Sequence, residues 1–415
     1  MGENFNLKYS LMNKVYEEKW DRRISFYVIF YFIISAFNSV IKLLFQLSEY
    51  WWSMISVICG ILIIIPMLYS INQVYKRSKR ILLNSILLFL VIYLFSIFQS
   101  VLRNEPIDLI LEGTALLTFA WWIPIGTFTY SVINKKILYD TLLRGSYIIS
   151  ILLSFPFYLY ILGLLPGYNM FFSYALIFPL ILHINEYFRT RNRLLLIISL
   201  LELLALLIYG ARGPLLSLLI YFVFKLIDIK FIHTRILAFM TILLFTFITF
   251  LVSEKVISDF NIELSKYNIQ SRTLDLFESG SILFDAGRTE IWKITYDMIT
   301  EKPFLGWGLG GEYYTLGERF GDHNITNTST PHNGILQVWV NFGLFFGSLA
   351  LIIIFKDFKK IFKIKDYYLK NLLLIFFSIG IFPRLFVSSG FFVYPPAAIF
   401  IYLIIQYRKK LKLQQ

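Results

Sequence analysis

Three residues of this chain have the types and positions needed for proton transfer and anion binding. His332 follows a long polar segment and precedes an apolar run, so we expect it in the first turn of a membrane-spanning helix, on the non-cytoplasmic side. The partial positive charge of a helix N-terminus disfavours imidazolium, and a neutral imidazole can accept a proton. Arg212 and Arg288 are expected on the same side of the membrane. One neutral base and two fixed cations suit glycosyl transfer from an anionic leaving group.

The elements that must position these residues are transmembrane helices. Of the 415 residues, 57% are hydrophobic and 16% are charged. Apolar runs of about 20 residues, the length that crosses about 30 Å of hydrocarbon, recur without the alternation of barrel strands. The sequence therefore predicts an all-α polytopic transmembrane bundle of about 12 spans, with one long extracytoplasmic loop that contains helices. The spans are expected near residues 24–45, 50–70, 81–100, 108–130, 146–164, 169–187, 194–210, 214–229, 236–253, 332–355, 371–389 and 391–407.

The net charge of +13 follows the positive-inside rule, because the basic clusters fall on the side of the N-terminal tail. Both termini are therefore expected in the cytoplasm, and the charge implies no nucleic-acid partner. The single cysteine, Cys59, lies in an apolar run and is expected to be a structural thiol. The predicted segments are a tail at 1–23, nine spans in 24–253, the outer loop at 254–331, three spans in 332–407 and a tail at 408–415.

The outer loop contains one predicted helix and one glycine-rich turn. Apolar residues at helical spacing, from Ile291 to Met298, predict a helix that begins near Asp285 and stops at Pro303. The segment 304–311 is interpreted as a turn, because glycines permit tight reversals and close backbone approach.

The end of the loop predicts the start of the next helix. Thr330 or Ser329 is the expected N-cap, and Pro331 is the expected first helical residue.

Each candidate residue has a structural alternative. Arg212 lies in a tight reversal between two apolar runs and could anchor lipid phosphate. Arg288 could be a surface arginine that pairs with Glu290 or Asp285. His332 could be a capping or buried histidine without a chemical role.

A second group of residues could contact a substrate. Arg384 lies in an apolar run and must either form an ion pair, with Glu112 or Glu202, or bind a second phosphate. The outer aromatic residues could stack on sugar rings or pack at the membrane interface. The remaining candidates expected on the outer side are Asn333, Trp292, Trp307, Tyr313 and His323. No histidine, cysteine and carboxylate cluster has metal-ligand spacing and no Walker motif occurs, so no metal or other cofactor is expected.

The order of these motifs resembles the O-antigen polymerase and O-antigen ligase superfamily. The resemblance covers roughly the last half of the chain, and the first half carries no comparable signature. Its pieces are Gly210-Ala211-Arg212-Gly213, Gly287-Arg288 followed by Trp292, Pro303-Phe304-Leu305-Gly306-Trp307-Gly308, and His332-Asn333-Gly334 with Gly343 beyond.

The resemblance implies a metal-independent glycosyltransferase of the GT-C type in the bacterial inner membrane. It would act at the outer face on a glycan carried by undecaprenyl diphosphate. The resemblance gives His332 the role of deprotonating the acceptor hydroxyl, and Arg212 and Arg288 the role of holding the diphosphate. Attack opposite the leaving group would invert the anomeric centre.

We favour a polymerase of O-antigen or capsular repeat units, which would transfer the glycan to the non-reducing end of another lipid-linked repeat unit. Membrane lipid and a chain-length regulator protein are its further expected partners. The alternatives are a ligase that transfers glycan to lipid A-core and a flippase for lipid-linked sugars. Transporters tend to show internal repeats and helices broken near the midplane, and the sequence has no visible repeat.

Overall fold

The regular structure of the chain is helical, as the sequence predicts. The computed structural model describes residues 2–44, 49–103, 121–161, 170–209, 212–228, 262–263, 266, 288–309, 311–320, 330–356, 358–386 and 394–414. The helices are α1 Gly2–Leu44, α2 Glu49–Arg103, α3 Trp122–Ser131, α4 Lys135–Ile161, α5 Met170–Thr190, α6 Arg193–Tyr209, α7 Arg212–Asp228, α8 Arg288–Glu301, α9 Gly311–Phe320, α10 Gly334–Phe355, α11 Phe358–Ile361, α12 Tyr367–Phe376, α13 Phe382–Phe386 and α14 Pro395–Gln414. A π-helical turn, Phe377–Ile381, joins α12 to α13.

Within the described residues, five helical stretches are long and apolar enough to cross a membrane. They are Asn13–Leu44, Ser53–Leu102, Lys135–Leu159, Gly334–Phe355 and Tyr367–Phe386. The all-helical class is therefore confirmed, with five candidate spans in the described residues, whereas the expected total of about twelve is not confirmed. The predicted span 236–253 lies outside the described residues, as does most of the predicted span 108–130.

The N-terminal segment that was predicted as a polar tail is helical, and its end packs against the rest of unit 1. Residues 2–23 form the first part of α1, and Asp21 within them is only 2% exposed. Its carboxylate accepts hydrogen bonds from Arg77 Nη1 at 2.7 Å and from the backbone N–H groups of Ile133 at 3.1 Å and Asn134 at 2.8 Å. A carboxylate with an arginine partner and two backbone donors can be buried, which explains why this polar segment packs.

The predicted spans 50–70 and 81–100 belong to one helix, α2. Its backbone leaves helical geometry at Ser78 (φ −134°, ψ 20°), inside the basic cluster that was expected to be a loop. The Ser78 hydroxyl contacts the Ser131 hydroxyl at 2.9 Å, so this point of α2 is tied to the end of α3.

The chain divides into two compact units. Unit 1 comprises Met1–Ile24, Ser70–Lys135 and Asp285–Gln415, and unit 2 comprises Ser25–Tyr69 and Lys136–Phe284. In unit 1, α14 packs against α3 and the π-helical turn, while α8 and α9 pack against α10. In unit 2, α5 packs against α6 and α7.

The predicted loop helix is confirmed as α8. Its polar positions Glu290, Lys293 and Asp297 are exposed, and its apolar face is buried against the turn that follows it and against α9 and α10. The buried cluster consists of Met298, Ile299, Trp307, Leu316 and Val340.

The predicted span 332–355 contains α10, whose helix is broken at Gly343 (φ 72°, ψ 170°). The break lies about 14 Å along the axis from the start of α10. A broken helix leaves backbone N–H and C=O groups that need other partners, and in a membrane protein the protein itself must supply them.

The turn that follows α8 supplies those partners. The pairs are Leu344 N–H to Pro303 O (2.6 Å), Trp307 N–H to Val340 O (2.7 Å) and Gly308 N–H to Asn341 O (2.9 Å). Gly306 and Gly308, at φ 68° and 80°, give this segment the reversal predicted from the sequence. Part of the outer loop therefore lies beside α10 and completes its hydrogen bonding.

Gly343→Ala is expected to lower the free energy of unfolding by at least about 2 kcal/mol, because its backbone conformation strains any L side chain. A Cβ at this position would also lie 2.3 Å from the Phe304 carbonyl oxygen. Thermal unfolding in detergent measures the effect. Gly60→Ala is the matched control, because a Cβ at Gly60 meets nothing within 4 Å. An equal loss in both variants would contradict the role given to the break.

Candidate functional site

The predicted base lies immediately before α10 and not in its first turn. Asn333 is the N-cap, and its side-chain oxygen accepts from the N–H groups of Ile335 at 3.0 Å and Leu336 at 3.2 Å. His332 precedes this cap with a φ of 50°, a left-handed conformation that is uncommon for a residue other than glycine. The histidine is half-buried.

The expectation that Thr330 or Ser329 caps this helix, with Pro331 as its first residue, is therefore wrong. Asparagine is among the best N-cap residues, and Asn333 takes that role. His332 therefore lies outside the first turn of α10. Because the partial positive charge of a helix N-terminus falls off outside that turn, it is a weaker argument for a neutral imidazole.

The N-terminal part of α8 is fixed next to the histidine. The indole N–H of Trp292 donates to the Pro331 carbonyl oxygen at 2.7 Å, and 36% of Trp292 remains exposed. Arg288 begins α8 and lies one turn before Trp292, on the same face of the helix. The Arg288 side chain itself lies outside the described residues.

The start of α10 packs directly on the backbone of α13. A Cβ built on Gly334 would lie 2.6 Å from the Arg384 carbonyl oxygen and 3.1 Å from Leu385 Cα. Only glycine allows this approach, which brings the backbone of Arg384 next to the His332–Gly334 segment. This close packing explains why the residue that follows His332 and Asn333 is a glycine.

Arg384 contacts an aromatic ring. Its guanidinium carbon is 4.1 Å from the centroid of Tyr394. Of the two expected acidic partners, Glu112 lies outside the described residues, and Glu202 contacts His183 in unit 2. A cation held over an aromatic face keeps its charge and its N–H donors, so Arg384 is compatible with anion binding.

Trp307 is a packing residue in the buried cluster. It is 6% exposed, its indole N–H donates to the Met298 carbonyl oxygen at 2.9 Å, and Lys302 Nζ lies 4.0 Å from the ring centroid. The burial of Trp307 favours a role in core packing over stacking on a sugar ring.

Three other candidates are not placed at atomic detail. Arg212 is the first residue of α7 in unit 2, and its side chain lies outside the described residues. The Tyr313 side chain and all of His323 also lie outside them.

Two features of the site were missed in the sequence. The cap at Asn333 could have been found, because asparagine followed by an apolar run is a recognised helix start. The contact of Tyr394 with Arg384 could not, since the two residues are ten positions apart and share no regular spacing.

A further ion pair joins the ends of the two loop helices. Arg319 on α9 donates to both carboxylate oxygens of Glu301 on α8, each at 2.7 Å. These hydrogen bonds lower the pKa of Glu301 below its usual range. A carboxyl whose pKa is depressed in the folded state stabilises the fold above its unfolded pKa, and loses this contribution as the pH falls through the folded pKa.

Acidification is therefore expected to loosen the contact between α8 and α9 as the pH falls below about 4.3, the ordinary glutamate pKa. The effect should be small because the pair is partly exposed. Hydrogen exchange of the α9 amides as a function of pH measures it, with Glu301→Gln as the comparison. Identical acid profiles in the two proteins would contradict the assignment.

Unit 1 thus brings the imidazole of His332, the part-exposed indole of Trp292 and the backbone of one arginine, Arg384, to the segment Pro331–Gly334. Proton acceptance, stacking on a ring and attraction of an anion are the chemical capacities of these groups.

A protein-family model described as O-antigen ligase matches residues 194–352. This segment runs from α6 into the last part of α10 and includes Arg212, Arg288 and His332, while Arg384 lies beyond it. Comparison with curated proteins gives no match.

Proposed function

We propose that the chain belongs to the O-antigen ligase and polymerase superfamily, whose family model matches residues 194–352, and that it is a polymerase of O-antigen or capsular repeat units. The donor is a glycan on undecaprenyl diphosphate, and the acceptor is a hydroxyl at the non-reducing end of another lipid-linked repeat unit. The acceptor oxygen bonds to the anomeric carbon, the bond from that carbon to the diphosphate breaks, and the acceptor proton moves to His332.

The observation that carries the proposal is the position of His332. It lies outside the helix, in a strained left-handed conformation fixed by the Asn333 cap on one side. On the other side, the Pro331 carbonyl is held by Trp292. Backbone strain of this kind is concentrated at functional sites, where the surrounding structure maintains it. Such a fixed imidazole is suited to remove a proton from a bound hydroxyl.

The second requirement of the proposed reaction is that the negative charge on the leaving group be stabilised. A diphosphate gains negative charge as its bond to the sugar breaks, and preorganised cations stabilise that charge by several kcal/mol. We assign this role to Arg288, which begins α8, and to Arg384, whose backbone packs against Gly334 in unit 1. Arg212 is proposed as a further diphosphate ligand from the resemblance.

Sugar recognition is assigned to Trp292. Its indole N–H is already used by Pro331, while 36% of the residue stays exposed, so its ring can stack on an apolar sugar face. Asn333 caps α10 and adjoins His332. We assign its backbone to the same sugar-binding surface as the Trp292 ring.

The proposal includes the cellular setting. The protein lies in the bacterial inner membrane with both termini in the cytoplasm, and the site opens on the extracytoplasmic side, as the distribution of basic residues favours. Its partners are the two lipid-linked oligosaccharides, surrounding lipid and a chain-length regulator protein.

A ligase that transfers the glycan to lipid A-core is the second candidate, because the matching family model carries the description O-antigen ligase. Donor activation is the same in both reactions, so the candidate base and arginines serve either one.

Glycan analysis of a deletion strain distinguishes the two. Loss of a polymerase should leave single repeat units on the acceptor, and complementation should restore long chains. Bare acceptor, with polymer retained on the lipid carrier, would identify a ligase and contradict the polymerase proposal. Unchanged glycans would contradict both.

A further inference from the structure

An apolar groove lies on the surface of unit 1, beside the second half of α10. Its volume is about 550 Å³, and its walls are Pro303 and Phe304 of the turn after α8 and one face of α10, within residues 344–352. Among the described residues that line it, Ser348 alone is polar, and its Oγ already accepts a hydrogen bond from Trp339 Nε1 at 3.1 Å. The groove therefore suits a hydrocarbon chain and offers little to a sugar.

The groove is open, and it follows a helix that can cross a membrane. Phe304 is 75% exposed and Phe345 is 66% exposed, although both are apolar. Since α10 is a candidate span, such side chains are expected to face lipid tails and not water. The groove begins just after the break at Gly343 and continues for about 12 Å along the axis of α10.

Apolar walls alone do not select an occupant within a bilayer, because the surrounding lipid tails are equally apolar. One chain is favoured over the others when its headgroup is bound elsewhere on the same protein. Such a tethered chain has a high effective concentration at the groove. The position of the groove relative to the candidate site therefore decides which chain it holds.

Helix α8 connects the candidate site with the groove. Near its start, the indole N–H of Trp292 donates to the Pro331 carbonyl oxygen at 2.7 Å. Just beyond its end, the Pro303 carbonyl oxygen accepts from the Leu344 N–H at 2.6 Å. α8 thus packs along α10 from the segment that contains His332 to the upper end of the groove. A lipid whose headgroup lies at the start of α8 can pass its chain along this helix pair into the membrane.

We propose that the groove binds the polyprenyl chain of the lipid-linked donor while the diphosphate lies at the site near His332. The inference rests on the proposed function and adds to it the place where the lipid part of the substrate is held. The competing occupant is the acyl chain of an ordinary anionic phospholipid. Its phosphate would be attracted to Lys302, which precedes Pro303 and whose Nζ lies 4.0 Å from the centroid of the Trp307 ring.

Photolabelling of the full-length protein in lipid nanodiscs tests the proposal without requiring turnover. The probe is undecaprenyl diphosphate with a diazirine in its chain, which loses N₂ under light and leaves a carbene that inserts into a neighbouring C–H bond. Mass spectrometry should find adducts concentrated at Phe304 and within residues 344–352, and excess unlabelled undecaprenyl diphosphate should remove them. Leu87 and Leu94 on α2, each 62% exposed, are the internal control for labelling from bulk lipid.

Two results of this experiment would overturn the proposal. One is equal labelling of the groove and of the α2 control face. The other is stronger labelling of the groove by phosphatidylglycerol that carries the same diazirine in an acyl chain, which would assign the groove to phospholipid.

The variant Leu349→Trp, which fills the groove, gives a second test. It should raise the KM of a donor with the full polyprenyl chain by roughly three- to tenfold, a modest change because only packing contacts within the membrane are lost. The KM of a donor with two isoprene units should stay at the wild-type value, since so short a chain ends before the groove. Ile353→Trp is the matched control, because Ile353 is a 47% exposed position of α10 that does not line the groove, and it should change neither KM.

The two donors also separate this inference from the function on which it rests. If Leu349→Trp leaves the ratio of the two KM values as in the wild type, the groove does not hold the chain. If the wild-type protein lengthens neither donor, the proposed function itself is contradicted.

Discussion

His332→Asn should lower the rate of glycan lengthening by about 10²–10⁴-fold, the usual contribution of a general base. Asparagine tolerates the left-handed backbone that the structure records at His332 (φ 50°), so the substitution removes the imidazole and keeps the local fold. His332→Ala would combine the loss of the base with backbone strain, and is the less informative change. Lengthening of lipid-linked repeat units by purified protein in nanodiscs measures the effect directly.

The control for this prediction is Lys293→Gln, on the exposed face of the same loop helix as Trp292. It should leave both the lengthening rate and membrane abundance unchanged. If His332→Asn protein accumulates normally and still lengthens glycan at the wild-type rate, His332 is not the base, and the assignment made for this site fails.

Asp21→Ala is expected to lower the free energy of unfolding by about 1–3 kcal/mol, the cost of leaving buried hydrogen-bond donors without their acceptor. Asp21 is 2% exposed and Arg77 is 11% exposed, so neither charge is well solvated. The substitution also removes the acceptor of two backbone N–H groups in the turn between α3 and α4. Thermal unfolding in detergent, with recovery of folded protein as a second readout, measures the loss.

Glu17→Gln is the matched control, because Glu17 pairs with the same arginine but is 47% exposed. An exposed ion pair contributes about 0–1 kcal/mol, so this variant should unfold close to the wild type. A similar small loss for Asp21→Ala would mean that the buried network does not stabilise unit 1.

The sequence predicted the class of fold and one detail of the outer loop correctly. Apolar runs indicated membrane-spanning helices, and the spacing from Ile291 to Met298 indicated α8, since both depend on local periodicity. The break at Gly343 and the burial of Asp21 were not predicted. Both depend on partners distant in the chain, namely Pro303 and Arg77, which no local pattern reveals.

The sequence predicted the residue types of the candidate site better than it predicted their geometry. His332, Trp292 and the backbone of Arg384 do meet at one segment of unit 1, yet α10 begins three residues after Pro331, its expected first residue, because Asn333 caps it. The Tyr394 contact was missed, and Trp307 was proposed for a substrate although it packs inside the protein. The convergence of Arg212 and Arg288 on the histidine stays a prediction.

The hydrogen bonds between the turn at Pro303 and the broken α10 bear on the entropy of substrate binding. A loop that must become ordered around its ligand loses conformational freedom at that moment, and affinity falls accordingly. Here the turn has already lost that freedom when the protein folds, since separating it from α10 would strand several backbone groups. For the polymerase proposed above, this part of the outer loop is therefore ordered before each repeat unit binds.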